Sequence, residues 1–238
     1  MKFSVLTYNL LFNQAITPLK DLIKKYQPDI ICLQEVLTDE DNLNQLVFDP
    51  YRLADFSNSF IRVHSIFGIA TYYNSKRLIF NDSNTYNLPR SWFEAFLVFF
   101  RGFNSPRNVL KTEFKTKIGK KIAAYVVHLT PWATNKAKLK QIKETLEIFK
   151  NSPSMPTVIT GDFNYPYGRK QFENLINKAK LKEATSNILH TLETRYFNLL
   201  TVKFKLDYVL YRKLRHKKTE KLPYHYSDHY PILATFEI

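Results

Sequence analysis

Hydrophobic residues along the chain alternate between the spacing of amphipathic helices and the continuous runs of buried strands. Apolar residues at intervals of three and four predict one helix from Thr17 to the residues before Pro28. The same spacing predicts a second helix between Thr134, as its cap, and Pro153, and a third over residues 171–180. Strands are predicted at residues 3–8, 29–34, 66–73, 77–80, 109–115, 121–129, 157–160, 204–211 and 231–238. Mixed strands and helices predict an α/β fold of layers, with sheets inside and helices outside.

The length and composition fit one packed domain over residues 1–238. Hydrophobic residues make up 45% of the chain and aromatic residues 15%, and no repeat or linker divides it. Cys32 is the one cysteine, so no disulfide can form within the chain. The N-terminal residues lack the pattern of a secretory signal, and we expect a cytoplasmic monomer. The sequence gives no basis for inferring a protein partner.

The charge of the chain narrows the class of partner. Lys and Arg number 35 against 21 Asp and Glu, a formal net charge of +14. Such a charge attracts nucleic acid, anionic lipid surfaces or phosphorylated small molecules, although lysines that are only solvated would give the same number.

Polar residues with chemical potential stand at the ends of the predicted strands, where α/β proteins hold reactive groups on a rigid support. These residues are Asn9, Glu35, His128, Asp162, Asn164, Asp228 and His229, with Asp207 inside a strand. Each has an ordinary explanation as a turn former, a cap or a surface carboxylate. Their appearance at successive strand ends instead indicates one shared site.

The chemistry that this set can support is phosphoester hydrolysis. The reaction needs a Lewis acid on the phosphate, a base for the attacking water and donors that stabilise the transition state. Glu35, Asn9 and the Asp228 region offer the hard oxygen ligands that Mg²⁺, or Mn²⁺, prefers. We therefore expect Mg²⁺ as the cofactor.

Six motifs in order resemble those of the endonuclease/exonuclease/phosphatase superfamily, which includes deoxyribonuclease I. They are Thr7-Tyr8-Asn9, Leu33-Gln34-Glu35-Val36, His128-Leu129, Gly161-Asp162-Phe163-Asn164, Leu206-Asp207-Tyr208-Val209 and Ser227-Asp228-His229. The resemblance spans nearly the whole chain. It implies a four-layered α/β sandwich, with two mixed sheets packed face to face and helices outside.

The resemblance also implies roles for the metal and the attacking water. Glu35 would be the principal metal ligand, with Asn9 beside it and Asp228 acting on the metal or its water. Asp162 would orient or deprotonate the attacking water.

The remaining residues would act on the phosphate. By the same resemblance, Asn164 and His128 would hold phosphate oxygens. Arg107 and Asn9 are also predicted to bind substrate. His229, oriented by Asp207, would stabilise the transition state or transfer a proton.

Two features bear on the branch of the superfamily. His128-Leu129 is similar to the deoxyribonuclease, phosphatase, sphingomyelinase and tyrosyl-DNA phosphodiesterase branches, whereas exonuclease III-like enzymes have a Pro-Asn pair there. Several relatives carry an acidic residue two positions after the first Asn, where this chain has Leu11. A second metal ligand at that end is therefore not expected.

The substrate class depends on two further segments. An aromatic segment begins at Trp92 and ends at Phe103, and it could pack on the sandwich, stack on unpaired bases or enter a lipid interface. A basic stretch follows later in the chain and could contact a nucleic-acid backbone or be a solvated loop. Its members are Arg212, Lys213, Arg215, Lys217, Lys218 and Lys221.

We predict a Mg²⁺-dependent phosphodiesterase that acts on nucleic acid, as a nuclease or a DNA-end processing enzyme. The alternatives are a sphingomyelinase-like or phosphoinositide phosphoesterase at an anionic membrane surface, and an inactive module that binds phosphate.

Overall fold

The structure is a computed structural model that describes residues 1–62, 64–89, 107–131, 133–196 and 200–238. The aromatic segment that starts at Trp92 lies outside these residues. The described strands are β1 (Lys2–Asn9), β2 (Ile30–Leu37), β3 (Tyr51–Arg62), β4 (Ser65–Asn74), β5 (Leu78–Asn87), β6 (Asn108–Thr116), β7 (Lys121–His128), β8 (Thr157–Asp162), β9 (Lys182–Glu183), β10 (Leu192–Tyr196), β11 (Leu200–Phe204), β12 (Asp207–Arg212), β13 (Arg215–Lys221) and β14 (Ile232–Glu237). The described helices are α1 (Ile16–Tyr26), α2 (Glu40–Asn44), α3 (Asn135–Lys150) and α4 (Arg169–Lys178).

Two six-stranded sheets form the centre of the fold. The first has the order β13-β14-β1-β2-β4-β3, and the second has the order β5-β6-β7-β8-β12-β9. Each is mixed, because β1 pairs in parallel with β2 and β7 with β8, while the other pairs are antiparallel. Strands β10 and β11 form a separate two-stranded hairpin.

Three apolar clusters separate four layers. One cluster lies between the two sheets and contains Phe3, Val5, Leu110 and Val126. A second joins α1 to the outer face of the first sheet, and a third joins α3 and α4 to the outer face of the second. The predicted α/β sandwich is therefore confirmed. Among the described residues, none of the helices is long and apolar enough to span a bilayer.

Several predicted element boundaries differ from the structure. Helix α1 begins at Ile16, and the residue before it is Ala15, which makes no side-chain cap, so the prediction of Thr17 as the cap is wrong. Thr134 is confirmed as the cap of α3, because its hydroxyl accepts the Ala137 N–H at 3.3 Å. The strand predicted over residues 204–211 is interrupted between Phe204 and Asp207, and Asp207 is the first residue of strand β12.

The strand directions bring the candidate residues to one edge. The parallel pairs β1 with β2 and β7 with β8 end on the same side, at Asn9, near Glu35, at His128 and at Asp162. Strand β12 runs antiparallel to β8 with Asp207 opposite Asp162. All five residues therefore reach the same end of the sandwich.

Candidate active site

Gly161 allows β7 and β8 to approach closely just before the site. Its φ of +135° suits glycine, and a Cβ atom there would collide with the carbonyl oxygen of Val127. The close pairing continues to His128 and Asp162, which lie opposite each other in the parallel register. The Gly-Asp pair therefore places the Asp162 carboxylate beside the His128 imidazole.

Glu35 reaches the site through an irregularity in β2. The register with β4 shifts between Gln34 and Val36, and Glu35 has a left-handed φ of +58°. The Phe12 N–H donates to Oε2 at 3.0 Å, and the Asn9 amide donates to Oε1 at 3.2 Å. Burial raises the pKa of Glu35, and these donors partly offset that rise. The carboxylate is thus held in place by the protein itself.

The donor from Phe12 belongs to a left-handed turn after β1. Leu11, Phe12 and Asn13 have φ values of +47°, +52° and +69°, which non-glycine residues adopt at a cost. Their N–H groups donate in turn to the Asn9 side chain, the Glu35 carboxylate and the Glu35 carbonyl. The turn therefore anchors Glu35 at its carboxylate and at its carbonyl, and it also anchors the Asn9 side chain. Sequence reasoning missed it, since no glycine marks it.

Asn9 joins the two carboxylates at the centre of the site. Its Nδ2 lies 3.2 Å from Glu35 Oε1 and 3.2 Å from Asp162 Oδ2, while its Oδ1 accepts the Leu11 N–H at 3.0 Å. In this arrangement its nitrogen, rather than its oxygen, faces Glu35. The role of Asn9 as a metal or substrate ligand stays a prediction.

Arg107 determines which nitrogen of His128 carries the proton. Arg107 Nη1 lies 3.3 Å from His128 Nδ1, and a guanidinium can only donate. Burial and the nearby Arg107 charge hold the pKa of His128 well below its usual range, so the ring is neutral. Its Nε2 therefore bears the hydrogen and lies 3.6 Å from Glu35 Oε1 and 3.7 Å from Asp162 Oδ2.

The Nε2 atom of His128 is buried, and its hydrogen has no hydrogen-bond acceptor among the described residues. The ring is also fixed laterally, since Phe60 packs edge-on against it with centroids 6.0 Å apart. A buried donor aimed into a site in this way is ready to bind an acceptor that arrives with a ligand.

Asn164 fixes the orientation of Asp162. Its N–H donates to Asp162 Oδ1 at 2.8 Å, and its Nδ2 contacts Oδ2 at 3.0 Å and the Leu129 carbonyl at 2.9 Å. Burial raises the pKa of Asp162 to about 7, with the charge of Asp207 adding to it and His229 opposing it. A carboxylate with this pKa can exchange a proton near neutral pH, and a bound cation would lower the value.

His229 and Asp207 form a buried pair at the opposite wall. His229 Nδ1 lies 2.7 Å from Asp207 Oδ2, and His229 Nε2 points to Asp162 Oδ2 at 3.9 Å. Burial alone would lower the pKa of His229, but the charges of Asp207, Asp162 and Asp228 raise it to about 10. The site thus contains one neutral histidine, at position 128, and one protonated histidine.

Thr191, which the sequence did not single out, holds the Asp207 segment. Its fully buried Oγ1 accepts the N–H groups of Leu206 and Asp207, both at 3.0 Å. Its carbonyl accepts the Tyr230 N–H at 2.7 Å, next to His229. One threonine therefore connects both members of the Asp207–His229 pair.

Asp228 is half-buried beside this pair. Its Oδ1 accepts from the Ser227 hydroxyl at 3.3 Å, and its charge contributes to the raised pKa of His229. The predicted roles of Asp228 in metal binding and catalysis stay predictions.

The donor set fits a hydrated divalent cation better than a metal enclosed by protein. The described parts of the chain contain no group of three or more His, Cys, Asp or Glu arranged for a metal ion. Glu35 does offer a fixed carboxylate next to Asn9 and Asp162. Mg²⁺ commonly binds through one or two carboxylates and completes its shell with water and substrate phosphate, so Glu35 is a suitable ligand.

These motifs and this geometry agree with a sequence comparison. The sequence profile of the Endonuclease/Exonuclease/phosphatase family matches residues 6–229, which include every candidate residue. The chain belongs to this family. A search of curated proteins found no match. Members of the family are phosphoester hydrolases and generally use a divalent metal.

Solved structures of the family share the fold. The human Nocturnin catalytic domain is 18% identical, with a TM-score of 0.78 over 99% of this chain and 94% of that one. TDP2 from D. rerio, complexed with a single-strand DNA product, is 16% identical, with a TM-score of 0.76 over 100% and 99%. The mannosyl-6-phosphatase Bt3783 from Bacteroides thetaiotaomicron is 15% identical, with a TM-score of 0.78 over 99% and 100%. At these identities the likeness establishes the fold alone.

Proposed function

We propose that this chain is a Mg²⁺-dependent phosphodiester hydrolase that acts on nucleic acid. The observation that carries the proposal is the meeting of a fixed carboxylate, a neutral histidine N–H donor, a proton-accepting aspartate and a protonated histidine. The four residues are Glu35, His128, Asp162 and His229. These are the groups that hydrolysis of a phosphoester requires.

Each side chain has a task in this mechanism. Glu35 would hold the cation, which when bound supplies Lewis acidity to a phosphate oxygen. Asp162 would orient the attacking water and accept its proton, with Asn164 fixing the carboxylate. The His128 Nε2–H would donate to a non-bridging oxygen. His229, kept protonated by Asp207, would stabilise the charge that develops in the transition state.

An exposed aromatic side chain near the site supports a nucleic-acid substrate. Tyr167 is 61% exposed although it lies three residues after Asn164, and its ring packs edge-on against Phe204 of β11 at 5.9 Å. An exposed ring on such a support suits stacking with an unpaired base. The net charge of +14 favours the same class of substrate. TDP2, which shares the fold, is known in complex with a single-strand DNA product.

The basic stretch near the C-terminus gives this proposal less support than its sequence position suggested. Arg212 ends β12, roughly 17 Å from Asp207 at a rise of about 3.3 Å per residue. Arg215 of β13 pairs with Glu237 of β14, and Glu237 pairs on its other side with Lys2 of β1. Lys2 is the first residue of β1 and lies at the opposite end of that strand from Asn9. Most of the stretch therefore lies at the far end of the sandwich.

A membrane-surface substrate is the second candidate, and one observation favours it. Ile61 and Ile66 pair across the tip of the β3–β4 hairpin and are 40% and 43% exposed. The Ile66 carbonyl accepts the Thr38 N–H, so the tip lies beyond Glu35 at the site edge. Exposed apolar residues beside Arg62 could enter a lipid interface.

The proposal is tested by measuring Mg²⁺-dependent product release from single- and double-stranded DNA, RNA, 5′-tyrosyl DNA, sphingomyelin and phosphoinositides. We expect a nucleic acid to be cleaved and the Asp162→Ala variant to be inactive. Hydrolysis of lipid alone would replace the proposal with the membrane candidate. In that case the Ile61→Asp variant should lose activity on lipid in vesicles and keep activity on lipid that is not in vesicles.

A further inference from the structure

Helix α3 begins at the edge of the candidate site. Strand β7 ends at His128, and the chain enters α3 at Asn135 after a short connection. Gln141, on the inner face of the helix, accepts the Thr130 N–H at 3.1 Å and donates to the Pro89 carbonyl at 2.9 Å. The inner face of the first turns of α3 thus packs on the segment that follows His128.

Lys138 occupies this inner face, one turn before Gln141. Residues three apart on a helix lie on the same side, about 5–6 Å apart at Cβ, and side chains point toward the helix N-terminus. The N-terminus of α3 is its site end, so we expect the Lys138 side chain to extend from Gln141 toward the catalytic edge. Lys138 is only 8% exposed.

Other largely buried lysines of the chain are paired with carboxylates, but Lys138 is not. Lys111 contacts Glu113 at 2.5 Å, and Lys205 contacts Glu183 at 2.8 Å. Among the described residues, no hydrogen bond or ion pair satisfies the ammonium of Lys138. Most of the Lys138 side chain is buried, whereas its ammonium nitrogen retains some exposure. A cation that is partly desolvated and has no partner carries a cost.

Asp162 is the charged group whose field acts on Lys138. Its charge opposes the effect of burial, which lowers the pKa of Lys138. The Asp162 oxygens already accept from Asn164 and Asn9, so the carboxylate is not a dedicated partner for the lysine. The Lys138 ammonium thus feels the Asp162 charge but has no hydrogen-bond partner among the described residues, and the buried Nε2–H of His128 has none either.

We propose that Lys138 binds a phosphate group of the substrate, on the α3 side of Asp162. The proposal rests on the proposed function and adds a phosphate ligand to it. Two donors, the His128 N–H and the Lys138 ammonium, then bind the anion from different elements, one from a strand end and one from a helix. The substrate anion is the hydrogen-bond partner that Lys138 lacks among the described residues.

The test compares three variants in their affinity for inorganic phosphate, measured by calorimetry with Mg²⁺ present. Lys138→Met retains the apolar stem and removes the charge, and we expect it to weaken phosphate binding by about 10- to 100-fold, the range for a hydrogen bond to a charged group. Lys140→Met makes the same change in net charge on the exposed side of α3 and should leave affinity within about twofold. Lys138→Arg, which stays protonated, should retain most of the affinity.

Thermal unfolding without phosphate provides a second readout. If Lys138 binds phosphate and destabilises the fold when phosphate is absent, Lys138→Met should raise the Tm. If the role of Lys138 is only structural, the same replacement should lower the Tm. Unchanged phosphate affinity in Lys138→Met, equal losses in Lys138→Met and Lys140→Met, or a lower Tm with normal affinity would each overturn the proposal.

These outcomes are separable from failure of the proposed function. Phosphate binding is measured without turnover, so a wild-type protein that binds phosphate but hydrolyses no phosphoester would refute the hydrolase and leave the role of Lys138 standing. Conversely, phosphoester turnover by wild type together with unaltered phosphate binding in Lys138→Met would support the hydrolase and refute the role of Lys138.

Discussion

Replacing Asp207 by Asn should change the charge of His229 at neutral pH. The pair is buried, with 2.7 Å between His229 Nδ1 and Asp207 Oδ2. A rise of the His229 pKa from 6.5 to about 10 corresponds to about 5 kcal/mol in favour of the imidazolium. In Asp207→Asn, burial should outweigh the Asp162 carboxylate 3.9 Å away and bring the pKa to 6.5 or below.

The sign of this effect determines how stability depends on pH. Because the folded-state pKa of His229 is raised, its contribution to stability is fully present below about pH 6.5 and is lost as the pH rises through about 10. Asp207→Asn removes most of that contribution, and the variant should be less stable than wild type near neutral pH by up to about 5 kcal/mol.

The assay is an NMR titration of the ring nitrogens of His229 in metal-free protein, from about pH 5 to about pH 11. Wild type should titrate at the upper end of this range and Asp207→Asn at the lower end. Asp55→Asn, at a half-buried position of β3, is the matched control, and its His229 should titrate as wild type does. A wild-type pKa near 6.5, or the same pKa in both proteins, would refute the assignment of His229 as the protonated histidine.

Three further substitutions test other parts of the site. Glu35→Gln keeps the shape of the side chain and removes its charge, and it should weaken Mg²⁺ binding at least about tenfold in calorimetry; undiminished binding would contradict its role as a ligand. Thr191→Val leaves two buried N–H groups of the Asp207 segment without an acceptor and should cost about 1–3 kcal/mol in urea unfolding, with recovery in Thr191→Ser. Gly161→Ala should lower stability by more than about 3 kcal/mol in thermal unfolding, because its Cβ would meet the Val127 carbonyl at a strained φ; a Tm like that of wild type would be inconsistent with the close strand pairing.

The positions of most candidate residues could be predicted because the sequence shows where its buried strands end. Buried strands read as apolar runs, and the residue after each run is where a side chain becomes available. Asn9, His128 and Asp162 were found in this way, and parallel pairing brings their strand ends together. The family motifs gave the same residues independently, which is why the fold and the class of chemistry could be predicted.

What the sequence could not reveal depends on backbone geometry and on distant pairing. The left-handed turn at Leu11 contains no glycine to signal it. Arg107 is separated from His128 by a whole hairpin, so its effect on the histidine tautomer appears only when β6 and β7 pair. Strand β13 is rich in basic residues and has no apolar face, so its sequence is typical of a loop. Only its pairing with β14 identifies it as a strand.

The most direct test of the hydrolase assignment is Mg²⁺-dependent turnover by wild type and His229→Ala on the same panel of nucleic-acid and lipid phosphoesters. We predict hydrolysis of a nucleic acid by wild type, loss on chelation with EDTA, and a decrease of at least about 100-fold in His229→Ala. Equal turnover by the two proteins, or turnover that persists without a divalent cation, would contradict the account.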